Sequence, residues 1–137
     1  MRIKKMLREF SLKTGARHEM IDITAIVQQA LKEEKIESGI ALIYTPHTTA
    51  AITINENADP DVPHDILAAL DRAVPLAANY RHAEGNSAAH VKSSLVGASE
   101  TVIIENGRLI LGTWQSVFFC EFDGPRSRKV MIKLIGA

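Results

Sequence analysis

The dipeptide Asn106-Gly107 stands between two apolar stretches, Thr101–Glu105 and Arg108–Leu111. Both residues tolerate positive φ, so the pair predicts a tight hairpin with antiparallel arms. Two more strands follow, about Ser116–Phe122 and Arg128–Ile135, joined by Asp123-Gly124-Pro125. Upstream, residues 2–13 alternate loosely through Ile3, Met6, Phe10 and Leu12, and Met20–Ile23 reads as a second short strand. Thr24 is placed to cap a helix from about Ala25 to Ile36, with Ile26, Val27, Ala30 and Leu31 inward and Ser38-Gly39 as its stop. Gly39–Tyr44 is a continuous apolar run, as in a central strand, and Ala50–Asn55 is another strand with Ile52 and Ile54 on one face. Asp59-Pro60-Asp61 opens a helix to about Ala73 that presents Ile66, Leu67, Leu70 and Val74. Ser87 caps a last helix, Ala88–Val96, closed by Gly97. The pattern predicts an α+β fold: a mostly antiparallel sheet with helices on one side. The other sheet face then needs cover, and a second subunit is the simplest cover.

With 137 residues the chain, 1–137, fits a single domain able to bury a core without a staple. Sixteen Lys and Arg balance sixteen Asp and Glu, so no broad basic footprint for nucleic acid exists. Cys120 is the single cysteine and sits in an apolar run, which predicts a buried, unreactive thiol and no internal disulfide. The start, Met1–Met6, is basic but lacks an apolar signal-peptide core, and no apolar run approaches membrane-spanning length. A cytoplasmic protein with no membrane partner is the expectation.

Four of the five histidines, His47, His64, His82 and His90, fall in the middle of the chain with Thr48, Glu56, Asp59, Asp61, Glu84 and Asn86. Many of these positions end strands or start helices, where side chains converge on clefts. Asp61 and His64 share a helix face, with Glu56 just upstream; carboxylate beside imidazole suits acid–base work or a divalent cation. The opposing reading is that Asp59, Asp61 and Asp65 only complement the helix start. His82 and Glu84 point the same way if extended, Gly85-Asn86-Ser87 precede a helix, and His90 lies in its first turn. His47, His82 and His90 are accordingly candidate ligands for zinc or a similar ion, although no compact metal motif is present. His18 reads as structural or solvated. Trp114, in Gly112-Thr113-Trp114-Gln115, either lines a pocket for a flat ring or packs under the helices. Arg126, in a turn, suits a phosphate or carboxylate.

Taken together, His47-Thr48-Thr49, Asn55–Asp61, His82–Asn86, His90 with Lys92–Leu95, Asn106–Leu109, Gly112–Gln115 and Asp123–Arg126 resemble the YjbQ family nearly end to end. The segment His82–Ser87 departs from it by being shorter and less acidic than in many relatives. The resemblance implies a homotrimer with sheets packed about the threefold axis, a pocket near a subunit boundary and a bound metal. It also implies secondary thiamine-phosphate synthase activity, which joins hydroxymethylpyrimidine diphosphate to a thiazole phosphate and releases pyrophosphate.

For that reaction His47, Glu56, Asp61 and His64 are the candidate catalytic groups. Glu56, Asp59 or Asp61 would hold magnesium while Lys92 and Arg126 meet phosphate. The substrate-binding set extends to Thr48, Asn86, Ser93, Thr113, Trp114 and Gln115. Two other readings stand beside it: a metal-dependent hydrolase of a small phosphorylated or acyl substrate, and a non-catalytic module that binds a small anion.

Overall fold

A computed structural model describes residues 3–136 of the chain. The elements run β1 (Lys4–Lys13), β2 (Glu19–Asp22), α1 (Thr24–Glu33), β3 (Gly39–Tyr44), β4 (Ala50–Glu56), α2 (Asp61–Ala73), α3 (Ser87–Val96), β5 (Ser99–Glu105), β6 (Arg108–Leu109), β7 (Gln115–Glu121) and β8 (Ser127–Gly136). The architecture is α+β with every strand pairing antiparallel, but the strands divide into two sheets. One is five-stranded, β1-β8-β3-β5-β6, and the other three-stranded, β2-β7-β4.

The split explains the unusual apolarity of β7. Val117 and Phe119 face the five-stranded sheet, where they meet Ala41, Ile43, Val102, Ile104, Ile132 and Leu134, with Val27, Ala30 and Leu31 of α1. Phe118, Cys120 and Phe122, with Ala51, face the other way, onto Leu67 and Leu70 of α2 and Ala89 and Val96 of α3. A strand covered on both faces needs apolar residues at every position, so alternation disappears. Helices α2 and α3 do cover one side of a sheet. The opposite side of that sheet is covered by the second sheet. The face left open is the outer one of the five-stranded sheet, where Leu7, Ile40, Tyr44 and Ile103 are exposed.

Three local expectations differ. Helix α1 ends at Glu33, because Lys35 takes a left-handed φ of 54° before Ser38-Gly39 is reached. Thr24 does not cap it: its hydroxyl accepts the Val117 N–H at 2.8 Å, and Asp22 Oδ1 instead accepts the Thr24 N–H at 2.9 Å. Asn86, not Ser87, is the cap position of α3. The Asn106-Gly107 hairpin forms with both φ values positive, 53° and 71°, joining β5 to β6.

Gly39 opens β3 opposite Gly136 at φ 150°, and a Cβ there would lie 1.9 Å from the Ile135 carbonyl oxygen. Gly39→Ala is therefore expected to destabilise the fold by about 3 kcal/mol or more, since neither strain nor clash can relax within a central strand. Urea unfolding monitored by circular dichroism measures this; an unchanged midpoint would contradict the packing of β3 against β8.

Candidate functional site

The site forms where β7 ends and β8 begins. Glu121 is an acidic residue at the end of the apolar β7, and Arg128 is an inward residue near the start of β8; both side chains are buried. Burial of one charge is tolerable only beside the other. Arg128 Nε donates to Glu121 Oε1 at 2.8 Å, and its Nη2 forms a second short contact with Oε2. That Nη2 also reaches the Thr49 hydroxyl at 2.8 Å and the Thr49 carbonyl at 3.2 Å. The Thr14 hydroxyl donates to Glu121 Oε1 at 2.7 Å, and the Asp123 N–H donates to Oε2 at 3.0 Å. Burial alone would raise the Glu121 carboxyl. The hydrogen bonds from Arg128, Thr14 and Asp123, with the Arg128 charge, outweigh burial and hold it below its ordinary value.

This core of charge positions the rim. Asp123 follows Glu121 closely and grips two residues: Arg126, through Nη2 to Oδ2 at 3.0 Å and Nε to the carbonyl at 2.8 Å, and Asn86, through Nδ2 to Oδ2 at 2.8 Å. Asn86 Oδ1 is buried without a hydrogen-bond partner among the described residues. His82 and His90 meet edge to face with ring centres 5.5 Å apart, and Glu84 Oε2 lies 3.9 Å from His82 Nε2. Across from them, His47 Nε2 accepts the Lys129 N–H at 2.9 Å. The result is one hollow of about 400 Å³ lined by Pro46, His47, Thr48, Thr49, His82, Glu84, Asn86, His90, Asp123, Arg126 and Arg128. His47 is held below its ordinary value, first by burial and then by Arg128, with Arg126 and Lys129 adding to the effect and Glu121 opposing it.

The fold thus gathers His47, Thr48, His82, Asn86, His90 and Arg126 from segments distant in sequence. It does not add the remaining candidates. Lys92 and Ser93 face inward from α3 and do not line the hollow. Lys92 Nζ bonds Asp71 of α2, lies 3.3 Å from His18 Nε2 and stands 6.0 Å above the Phe122 ring. His18 Nδ1 is 3.1 Å from Asp71, so Lys92 and His18 clamp α2, α3 and the β1–β2 turn together. Ser93 donates to the Ala50 carbonyl at 2.6 Å.

Glu56, Asp61, His64, Thr113, Trp114 and Gln115 belong to the opposite end of the three-stranded sheet. Ala50 pairs with Glu121 beside the hollow, whereas Glu56 pairs with Gln115. At about 3.4 Å per residue that separation is about 20 Å along β4. There Asp59 Oδ1 accepts the Asp61 N–H at 2.9 Å, a helix-start contact, and the His64 ring lies 3.3 Å from its neighbour Asp65. Trp114 is 62% exposed and packs under no helix. Gln115 Oε1 turns back to accept the Gly112 N–H at 2.8 Å.

The three-histidine zinc set is not assembled in this chain as described. Among the described residues no three His, Cys, Asp or Glu side chains converge as a ligand set. His47, moreover, has one ring nitrogen already committed to Lys129. Sequence reasoning overlooked Glu121 and Arg128 altogether. The available signal was a lone carboxylate closing a buried apolar run, which demands a buried cation nearby. Cys120 is buried as expected, its thiol pushed up to about 12 by that burial.

The lowered Glu121 carboxyl sets a direction for acid unfolding. Its contribution to stability is complete above the ordinary carboxyl value of 4.5 and drains away as pH falls below that, through the lowered folded value. Glu121→Gln is expected to lose this acid dependence and to be less stable than the wild type at pH 7 by about 3 kcal/mol, because Arg128 stays buried without its counter-charge. Denaturant titrations from pH 3 to 7 on both proteins measure it. Equal slopes below pH 4.5 would show that the pair does not carry the linkage.

The UPF0047 protein YjbQ-like family model matches residues 8–137. The UPF0047 protein YugU of Bacillus subtilis is 61% identical over 132 residues, covering 96% of this chain and 100% of the relative. A UPF0047 protein of Methanocaldococcus jannaschii is 55% identical over 136 residues, covering 99% of each. Among solved structures, an uncharacterised YjbQ/UPF0047-family protein of Clostridium acetobutylicum superposes with a TM-score of 0.92 at 56% identity, covering 93% of this chain and 98% of that one. A YbjQ-like protein of unknown function from Sulfolobus solfataricus gives 0.96 at 31% identity, covering 99% and 100%. Matches of that extent in sequence and backbone leave one assignment: the chain belongs to the YjbQ-like UPF0047 family.

Proposed function

We propose that the hollow binds a small phosphorylated molecule and that the protein is a cytoplasmic transferase of the thiamine-phosphate synthase type. The observation that carries the reading is the convergence of Arg126, His47, His82 and His90 on one hollow of about 400 Å³, with Arg126 oriented by Asp123. In the reaction, the bond from the pyrimidine methylene carbon to the diphosphate oxygen breaks, and a bond from that carbon to the thiazole nitrogen forms. Pyrophosphate leaves with the electron pair. Donors fixed beforehand around the leaving oxygens lower the barrier because they need no reorganisation as charge develops. Arg126, His82 and His90 fill that role here. Removing one such donor elsewhere costs about 2.7–4 kcal/mol of transition-state stabilisation, the scale to expect for Arg126→Ala. Purified protein supplied with both substrates and magnesium is expected to release pyrophosphate, and Arg126→Ala to slow release at least a hundredfold. Release no faster than in that variant overturns the transferase reading, and calorimetric titration with pyrophosphate then decides whether an anion-binding module remains.

The resemblance also supports a homotrimer, and the open face of the five-stranded sheet supplies a surface for it. Leu7 (55% exposed) and Ile103 (59%) project there with Ile40 and Tyr44. Apolar residues on adjoining strands are costly to leave wet, and burying them between copies recovers about 25 cal/mol per Å². Sedimentation equilibrium is expected to give the mass of three chains for the wild type and of one for Ile103→Lys; a monomeric wild type ends the trimer proposal.

A further inference from the structure

Strand β8 is longer than the strand beside it. It stays paired with β1 as far as Lys13–Ser127, but its pairing with β3 stops at Tyr44–Met131. Beyond Tyr44 the chain turns away through Thr45 and Pro46, so the β8 edge is left without a partner strand. The imidazole of His47 takes the missing place, and its Nε2 receives the Lys129 N–H at 2.9 Å.

That contact fixes the chemistry of the ring. A backbone amide only donates, so Nε2 must keep its lone pair. The proton of the neutral ring then sits on Nδ1, which makes no hydrogen bond with a described residue. A second proton would place two N–H groups against each other. The surroundings also resist it: Arg128, Arg126 and Lys129 disfavour a charged ring, and Glu121, which favours one, is already paired with Arg128, while Glu84 and Asp123 line the same hollow. His47 and Arg128 line the hollow described above, and they also line a second one of about 410 Å³ with Ser11, Lys13 and Lys129.

We propose that His47 acts as a neutral hydrogen-bond donor, presenting Nδ1–H to the phosphate of the bound molecule while Lys129 holds Nε2, and is an anion-positioning residue, neither a proton-abstracting base nor a metal ligand. This rests on the phosphate-binding reading of the hollow. It reverses the sequence-based role of His47, which needed a free lone pair.

The test uses the full chain labelled with ¹⁵N-histidine. Long-range proton–nitrogen spectra from pH 6 to 8, without ligand, are expected to show His47 with a protonated Nδ1 and an unprotonated Nε2. The other tautomer, or a cationic ring at pH 7, overturns the proposal. Pyrophosphate is the binding probe. His47→Asn keeps an amide near the Nδ1 position and is expected to change its Kd less than threefold. His47→Gln reaches the Nε2 position, keeps the Lys129 contact and is expected to weaken binding at least tenfold, with the thermal midpoint unchanged. Wild-type affinity in His47→Gln overturns the role of His47 while leaving the hollow as a phosphate site. No binding to the wild type removes the phosphate reading, and the donor role falls with it.

Discussion

The Glu121–Arg128 pair is the constraint on which the rest of the site depends. Two opposite charges are buried at the junction of the two sheets, one closing β7 and the other opening β8. Neither would be tolerated alone, since an unpaired charge in such surroundings costs several kcal/mol. Each carboxylate oxygen and the shared Nη2 has a second partner, so the desolvation of both groups is offset by hydrogen bonds as well as by attraction. Because those partners come from Thr14, Thr49 and Asp123, satisfying the pair draws together the ends of β1, β4 and β7. The hollow is the space that remains above this knot.

The rim inherits its geometry from the knot in a definite order. Glu121 Oε2 fixes the Asp123 amide, Asp123 fixes Arg126 and Asn86, and Asn86 begins α3, which carries His90. Asn86 cannot turn its amide to satisfy Oδ1, because that would set its oxygen against the Asp123 carboxylate. An unsatisfied buried acceptor costs about 1–3 kcal/mol. The site accepts that strain in order to hold two rim residues on one carboxylate. On the other side the same logic operates through backbone: β3 is shorter than β8, and a side chain completes the ladder.

How much of this was legible in the sequence depended on the range of the interaction. The Asn106-Gly107 turn, the strand Gly39–Tyr44 and the helix to Ala73 are specified by local chemistry, and all three stand where the sequence puts them. The cap of α1 is not legible locally, because a threonine hydroxyl need not serve its own helix. Thr24 serves β7 instead, a contact between residues far apart in sequence. Histidine clustering in the chain did mark His47, His82 and His90, which share the hollow. It also marked His64, on the wrong end of the sheet, because sequence proximity says nothing about which end of β4 a residue follows. Lys92 misled for a related reason. A lysine in a polar helix reads as a free cation, and only the tertiary fold shows Asp71 and His18 waiting for it.

Charge bookkeeping shows why directed donors matter more here than net potential. The whole chain is neutral, and so is the lining of the hollow: Arg126 and Arg128 are offset by Asp123 and Glu84. A phosphate arriving there gains little from long-range attraction, which steers ligands only where one sign of charge dominates a cleft. Under the proposed reading, its binding would come from hydrogen-bond donors fixed beforehand by the fold. Arg126, locked onto Asp123 by one edge, retains its remaining N–H groups for such use. A neutral His47 adds a donor without adding a charge that Glu84 and Asp123 would compete to neutralise. The tautomer that Lys129 imposes is thus the one a charge-balanced hollow requires if it is to hold an anion.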